Sequence, residues 1–149
     1  MSKFFQAFLT GIFFTFILDF FIFLGIKLNY IDFYEIDLYY NILFADNQCF
    51  ILYAIVSAII GFIVIYVNDN KISATVLGVL LFITALTLIP PVGYKLGEMM
   101  LMQKNSTLQD ERHTYVGDIY YNGRSRVTFY DYNLKKVINL DKTRLKGEN

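Results

Sequence analysis

The chain has 149 residues, of which 56% are hydrophobic and 18% aromatic, and 13 basic residues balance 13 acidic ones. This composition is typical of a protein that contacts lipid. The single cysteine, Cys49, excludes an intrachain disulfide and a cysteine metal cluster. Ile, Phe, Tyr, Asn and Lys are abundant and Trp is absent, a bias typical of AT-rich bacterial genomes.

The first predicted element is a transmembrane helix at residues 4–26. The run contains one charge, Asp19, and is flanked by Lys3 and Lys27. At about 1.5 Å per residue it spans roughly 34 Å, enough for a hydrocarbon core of about 30 Å. A cleavable signal peptide is the rival interpretation, but the apolar run is longer than the usual 7 to 15 residues or so, and no Ala-x-Ala-like site follows it. We therefore expect a retained membrane anchor.

An acidic, aromatic segment follows at residues 28–49. Its charged residues beyond the first span are all acidic: Asp32, Glu35, Asp37 and Asp46. Because they alternate with many Tyr, Phe and Ile residues, the segment is predicted to be an ordered, partly helical cap at the membrane interface.

Two further transmembrane helices are predicted at residues 50–67 and 72–92, which contain no charge. The polar turn at 68–71 makes them an antiparallel hairpin. Pro90 and Pro91 end or kink the third span. An interfacial helix or helical continuation is expected at residues 93–104.

The C-terminal segment, residues 105–149, is predicted to be a small β-meander. Its candidate strands are residues 114–121, 124–131 and 135–140, which are rich in Tyr, Val, Ile, Thr and Phe. The fold class is thus a mainly α membrane protein with three transmembrane helices in residues 1–104 and a β-rich extramembrane segment.

The Asn-Gly pair at 122–123 predicts the register of the first hairpin. A three-residue loop at 121–123 pairs Tyr115 with Phe129. It also sets Asp118 opposite Arg126 and places Gly123 in the left-handed position of a bulge. This register gives one apolar face and an opposite-charge pair on the other face.

Asp19 is the most informative residue of the spans. Ala7, Gly11, Thr15 and Asp19 recur at steps of four and form one small, polar stripe suited to close helix packing. Matching surfaces on the other helices include Tyr53, Ser57, Gly61, Thr84 and Thr87. We therefore expect Asp19 to be hydrogen-bonded inside the bundle. Three roles remain open: a structural packing residue, part of a proton or cation path, or a charge reserved for a basic residue of a partner subunit.

No motif in the sequence predicts catalysis. His113 is the only histidine and is expected to be a solvated surface residue, so neither a zinc site nor a Cys-His pair has a scaffold. There is no nucleophile elbow and no phosphate-binding glycine loop. The prediction is therefore a non-enzyme without metal or cofactor.

Basic residues are concentrated in the C-terminal segment: Arg112, Arg124, Arg126, Lys135, Lys136, Lys142, Arg144 and Lys146. Acidic residues offset them, so a solvated or headgroup-facing surface is favoured over nucleic-acid binding. A meander this small rarely buries enough apolar surface to fold alone. It should lean on the acidic cap, on the membrane face or on another protein.

These features predict a non-catalytic accessory, assembly or scaffold subunit of a larger membrane complex, with the bilayer and other membrane subunits as partners. The alternative is a transport component that moves a proton or cation through Asp19. A membrane-bound enzyme acting on lipid is a third possibility, for which the acids of the cap are the only candidate residues. The acidic segment favours an orientation with the N-terminus inside and the C-terminal segment outside, whereas Lys95, Lys104 and the basic tail favour the reverse. Because the flanks of the first span and the short segments have more weight, we expect the N-terminus inside and the C-terminal segment outside, in the bacterial cytoplasmic membrane.

Overall fold

Five α-helices precede a four-stranded antiparallel sheet in the computed structural model, which describes residues 2–67, 69–110 and 113–145. Asn68 of the predicted turn, and Arg112 and Lys146 of the predicted basic tail, lie outside the described residues. The mainly helical architecture with a C-terminal sheet agrees with the sequence prediction.

The first helix, α1, covers Lys3–Ile26 and continues through a π-helical turn at Lys27–Ile31. The Ser2 hydroxyl accepts a hydrogen bond from the Phe5 amide and caps the N-terminus. Together the two segments form a helical rod of 29 residues that is long and apolar enough to cross a membrane. The rod extends beyond the predicted span, and Tyr30 and Ile31 of its last turn are buried in a hydrophobic core.

The cap contains a short helix, α2 (Tyr40–Asn47). The next helix, α3 (Phe50–Tyr66), begins directly after the cap. Gln48 and Cys49 have extended backbone conformations, so the two helix axes meet at 88°. The predicted second span corresponds to α3. With 17 residues, α3 alone is slightly too short to count as a candidate span. Together with α2 it forms a bent helix pair that is long enough.

The next helix, α4, covers Asn70–Ala85 and ends in a 3₁₀ turn at Leu86–Leu88. A new helix, α5, starts at Pro90 and ends at Leu101. Proline suits the first turn of a helix, where its missing amide has no intrahelical partner, so the break falls at Ile89. The third span therefore ends at Leu88 rather than at residue 92, and α5 replaces the helix expected at 93–104. Among the residues that the structure describes, two helices are long and apolar enough to cross a membrane, or three if the bent pair is one span.

The sheet contains one strand more than predicted. Its strands are β1 (Gln103–Gln109), β2 (Thr114–Asn122), β3 (Arg126–Asp131) and β4 (Lys136–Asp141), in that order. The polar sequence of β1 has no β-branched or aromatic alternation, which explains why its pattern did not predict a strand. A bridge between Asp110 and Leu145 draws the two ends of the sheet together.

The predicted hairpin register is wrong by four positions. Asp118 pairs with Tyr130 instead of Arg126, and Phe129 pairs with Ile119 instead of Tyr115. Tyr115 lies opposite Leu108 of β1, and Arg126 lies opposite Asp141 of β4.

Tertiary contacts explain this shift. The Gly123 amide donates to the Arg126 carbonyl, so the loop is Arg124–Ser125, and Gly123 does not adopt a positive φ. The bulge falls at Tyr120, between the pairs of Ile119 and Tyr121. This register buries Ile119 beside Phe129 and directs Tyr121 into the cap, which outweighs the turn preference of Asn-Gly.

The described residues form two hydrophobic cores. The smaller core belongs to the sheet and is built from Leu108, Ile119, Val127 and Phe129. The larger core joins the end of α1, the cap, α5 and β2, and its buried members are Phe23, Ile26, Tyr30, Ile31, Ile36, Leu43, Leu101 and Tyr121. The sheet therefore leans on the acidic, aromatic cap, one of the three supports that its small size predicted.

Candidate functional site

Asp19 lies where α1 meets the bend between α2 and α3. Its side chain is half-buried, and its Oδ2 accepts a hydrogen bond of 2.8 Å from Nε2 of Gln48. Gln48 is the residue that ends α2, so this bond fixes the bend against α1. The partner of Asp19 is a neutral amide, and no ion pair to Asp19 occurs among the residues that the structure describes.

Tyr53 and Thr84, two residues of the predicted matching surfaces, donate to backbone carbonyls. The Tyr53 hydroxyl donates to the Ile12 carbonyl at 2.9 Å. Thr84 donates to the Leu80 carbonyl within its own helix. The hydrogen-bond partner of Asp19 is Gln48 instead. Gln48 was missed, although a polar residue at the start of an otherwise apolar run was a usable signal.

Two predicted residues keep buried hydroxyls without a partner. Thr15 and Ser57 are each only 2% exposed, and neither hydroxyl oxygen has a hydrogen-bond partner within the described part of the chain. Both residues lie on the facing sides of α1 and α3. An unbonded buried hydroxyl is unfavourable by about 1–3 kcal/mol.

The α1–α3 contact is a direct approach of the two backbones. A Cβ atom built on Gly11 would lie 1.9 Å from the Ser57 carbonyl oxygen, and one on Gly61 would lie 2.1 Å from the Ala7 carbonyl oxygen. Only glycine fits at these two positions. The stripe of Ala7, Gly11 and Thr15 is buried in this contact, which is the packing that small residues permit between helices in lipid.

The contact between α1 and α4 lies nearer the cap. The Thr87 hydroxyl donates to the Phe21 carbonyl at 2.9 Å, and the Asn29 amide donates to the Thr87 carbonyl at 3.1 Å. A Cβ on Gly25 would lie 2.4 Å from the Thr87 hydroxyl oxygen. Thr87 thus anchors the end of α4, whereas Asn29 and Gly25 were not singled out from the sequence.

The sheet is fixed to the helices by two polar contacts around the larger core. The fully buried Tyr30 donates its hydroxyl to the Tyr120 carbonyl at 2.9 Å. Arg124, at the tip of the β2–β3 loop, donates its Nε to both carboxylate oxygens of Asp46 at 2.9 and 3.0 Å. These contacts join residues far apart in sequence, so spacing alone could not predict them.

A series of contacting aromatic side chains lies at the same junction between the helices and the sheet. The Tyr34 and Tyr94 hydroxyl oxygens are 2.5 Å apart, and the ring centroids of Tyr34 and Tyr120 are 4.0 Å apart. Tyr120 in turn stacks on Tyr130 at 6.0 Å. Burial raises the pKa of Tyr34 above its ordinary value. The phenol is therefore neutral throughout the physiological pH range and acts in packing and hydrogen bonding.

The remaining predicted residues of the sheet have structural contacts. Asp118 accepts hydrogen bonds from the Asn105 amide at 2.9 Å and from the Tyr132 hydroxyl at 2.6 Å. His113 is exposed and lies beside the Tyr115 ring. Within residues 2–67, 69–110 and 113–145, no group of three His, Cys, Asp or Glu side chains could hold a metal ion.

Two exposed positions of the described residues bear on partner binding. On β4, an edge strand of the sheet, Val137 is 43% exposed. On α4, a Cβ built on Gly78 would meet no atom within 4 Å. These two positions contrast with the buried small residues of the α1–α3 contact.

Comparisons with protein-family models, with curated proteins and with solved structures gave no match for this chain.

Proposed function

We propose that this chain is a non-catalytic assembly or scaffold subunit of a larger membrane complex. In this proposal α1, the bent pair α2–α3, and α4 form three spans in a bacterial cytoplasmic membrane, with the N-terminus inside and the sheet outside. The observation that carries the proposal is the continuous core joining the end of α1, the cap, α5 and β2. Such a core holds a sheet at a fixed height and orientation beside the bilayer.

Outside the bilayer, the partner would dock on β4. An edge strand has unpaired backbone groups that can accept an added strand. The exposed side chains of Val137 and Leu134 would supply apolar contacts. The ion pair between Arg124 and Asp46 joins the β2–β3 loop to α2.

Inside the bilayer, the partner would dock on α4. Ala74 and Gly78 are exposed, lie one turn apart, and leave room for a helix to approach closely. Gly78 is useful experimentally because a larger side chain there would obstruct a partner without a clash inside the chain.

The test compares Gly78→Leu with the wild type after purification in mild detergent. We expect the variant to keep its thermal stability and to lose most of the co-purifying subunit. In parallel, a photo-crosslinking residue at Val137 should capture one defined protein chain in intact membranes, whereas the same residue at exposed Asp37 should not. Full retention of partners by Gly78→Leu together with identical products at both crosslinking sites would refute the proposal.

The orientation has its own probe in Cys49, which is exposed at the α2–α3 bend on the cap side. An impermeant thiol reagent should label it in intact cells. Labelling that requires permeabilised cells would place the cap and sheet inside.

Proton or cation transport through Asp19 is the second candidate function. It is favoured by a half-buried carboxylate on a candidate span and by the unbonded hydroxyls of Thr15 and Ser57 on the same helix contact. Packing and transport make different predictions for Asp19→Asn, which retains an acceptor for Gln48 and removes the charge.

A packing role predicts that Asp19→Asn is nearly silent. Asp19→Leu should lower the stability by about 1–2 kcal/mol, since the Gln48 amide loses its partner. Thermal unfolding in detergent and ion flux in reconstituted vesicles would be measured for both variants. Flux that is present in the wild type and absent in Asp19→Asn, with unchanged stability, would favour transport.

A further inference from the structure

An apolar groove lies between α1, the end of α4 and α5. Its volume is about 640 Å³. Pockets for small molecules are typically about 300–1,000 Å³. Its walls are almost entirely carbon and come from Ile22, Ile83, Thr84, Leu86, Thr87, Pro91, Val92, Lys95, Leu96 and Met99.

The groove crosses the end of the candidate spans. Ile22 and Ile83 belong to the two helices that are apolar enough to cross a membrane. Val92, Lys95 and Met99 belong to α5, beyond the break at Ile89. One end of the groove would therefore face acyl chains and the other end headgroups.

The basic residue that lines the headgroup end is Lys95. Lys95 Nζ lies 3.3 Å from one carboxylate oxygen of Glu98, while Lys104 Nζ lies 2.5 Å from the other. Two cations thus share the carboxylate of Glu98. Lys95 is the more weakly paired cation, and its side chain is 71% exposed, so it is free to turn towards an anion.

The size of the groove favours a chain molecule over a protein helix. A helix about 10–12 Å across, with a pitch of about 5.4 Å, fills roughly 500 Å³ per turn, so the groove would hold little more than one turn. A lipid places a thin apolar chain and an anionic phosphate at opposite ends, which matches the carbon walls and the position of Lys95.

We propose that this groove binds an acyl chain of an anionic phospholipid, with the headgroup phosphate on Lys95. The inference goes beyond the assembly role and needs no protein partner. Basic pockets at the ends of transmembrane helices are known to select anionic headgroups in this manner.

The experiment uses the full chain, purified in detergent and titrated with phosphatidylglycerol or phosphatidylcholine, with lipid retention read by native mass spectrometry. We expect the wild type to retain phosphatidylglycerol preferentially. Lys95→Gln should weaken that retention about fivefold, which corresponds to about 1 kcal/mol per basic residue near a membrane surface. The matched control is Lys71→Gln, at the opposite end of α4, which should change nothing.

A second pair of variants tests the groove itself. Val92→Trp fills the groove and should lower retention of both lipids, whereas Val79→Trp, on the exposed face of α4, should not. Equal lipid retention by Lys95→Gln and Lys71→Gln would overturn the headgroup contact. Unchanged lipid binding by Val92→Trp, or loss of a bound protein chain instead of lipid, would overturn the lipid site.

Discussion

The two halves of α1 make contacts of opposite character. Towards its N-terminus, Ala7 and Gly11 bring its backbone directly against α3. Towards its C-terminus, Phe23 and Ile26, together with Tyr30 of the π-helical turn that follows, insert large side chains into the core shared with the cap, α5 and β2. The same helix is therefore packed by close backbone contact at one end and by large buried side chains at the other.

The difference follows from the surroundings that each half is proposed to have. In lipid, an apolar side chain gains nothing by leaving its surroundings, so close van der Waals contact between backbones holds helices together. In water, burying a large apolar side chain is favourable by about 1.5–3 kcal/mol. The glycine contact is thus the packing expected in lipid, and the aromatic core around the end of α1 is the packing expected where the proposed span meets water.

The largest effect is expected at Tyr30, the centre of the aromatic half. Tyr30→Ala should destabilise the fold by about 3–5 kcal/mol, because a fully buried ring leaves a cavity. Tyr30→Phe should remove only the bond to the Tyr120 carbonyl, about 1 kcal/mol. Thermal unfolding and protease cleavage of the sheet would be followed. Tyr39→Ala, at a 72% exposed ring, is the control, and an equal effect at both tyrosines would contradict the assignment of the core.

A smaller effect is expected at Gly11, in the backbone-contact half. Gly11→Ala should destabilise by about 1–3 kcal/mol, since the new methyl group would force α1 and α3 apart. Gly78→Ala adds the same methyl group to a helix where it meets no atom, so it should be neutral or stabilising by up to about 1 kcal/mol. Unfolding midpoints measured in one detergent would separate the two. Equal midpoints would show that α1 and α3 do not touch.

The smallest expected effect is on the pH dependence of stability, because the ion pairs lie at one end of the molecule. The ion pairs that the structure describes all lie at the aromatic end: Lys27–Asp32, Lys95–Glu98, Lys104–Glu98 and Arg124–Asp46. Hydrogen bonds from Lys104 and Lys95 hold the pKa of Glu98 below its ordinary value. The resulting stabilisation is present above the unfolded-state pKa and is lost as the pH falls through the folded-state pKa.

We therefore expect acid to loosen the sheet and α5 before the α1–α3 contact. Glu98→Gln should lower the neutral-pH midpoint slightly and reduce the further loss of stability in acid, because the ion pairs it removes involve the exposed Lys95 and Lys104 and are screened by solvent. Amide exchange measured between neutral and acidic pH would locate the loosening. Earlier exchange in α3 than in β2 would reverse the comparison.

The helical part could be predicted more fully than the sheet. Charge-free runs predicted the helices α3 and α4, because a helix depends on local spacing. Pro90 and Pro91 predicted an end or kink of the third span, but the span was drawn to residue 92 and ends at Leu88. The partner of Asp19 could not be predicted, since the bend at Gln48 depends on contacts across the chain. The same holds for β1 and for the hairpin register, where Tyr121 and Arg124 respond to the distant cap.

The uninterrupted rod of α1 has a mechanical consequence. It runs without a break from Lys3 to Ile31, and its far end is bonded to the sheet through Tyr30. At about 1.5 Å per residue the rod is about 43 Å long, so a small change in its inclination moves its far end by a large distance. In the proposed membrane arrangement, a change in bilayer thickness that alters the inclination of α1 would rotate the sheet through the same angle, so the height of β4 above the lipid would report that thickness.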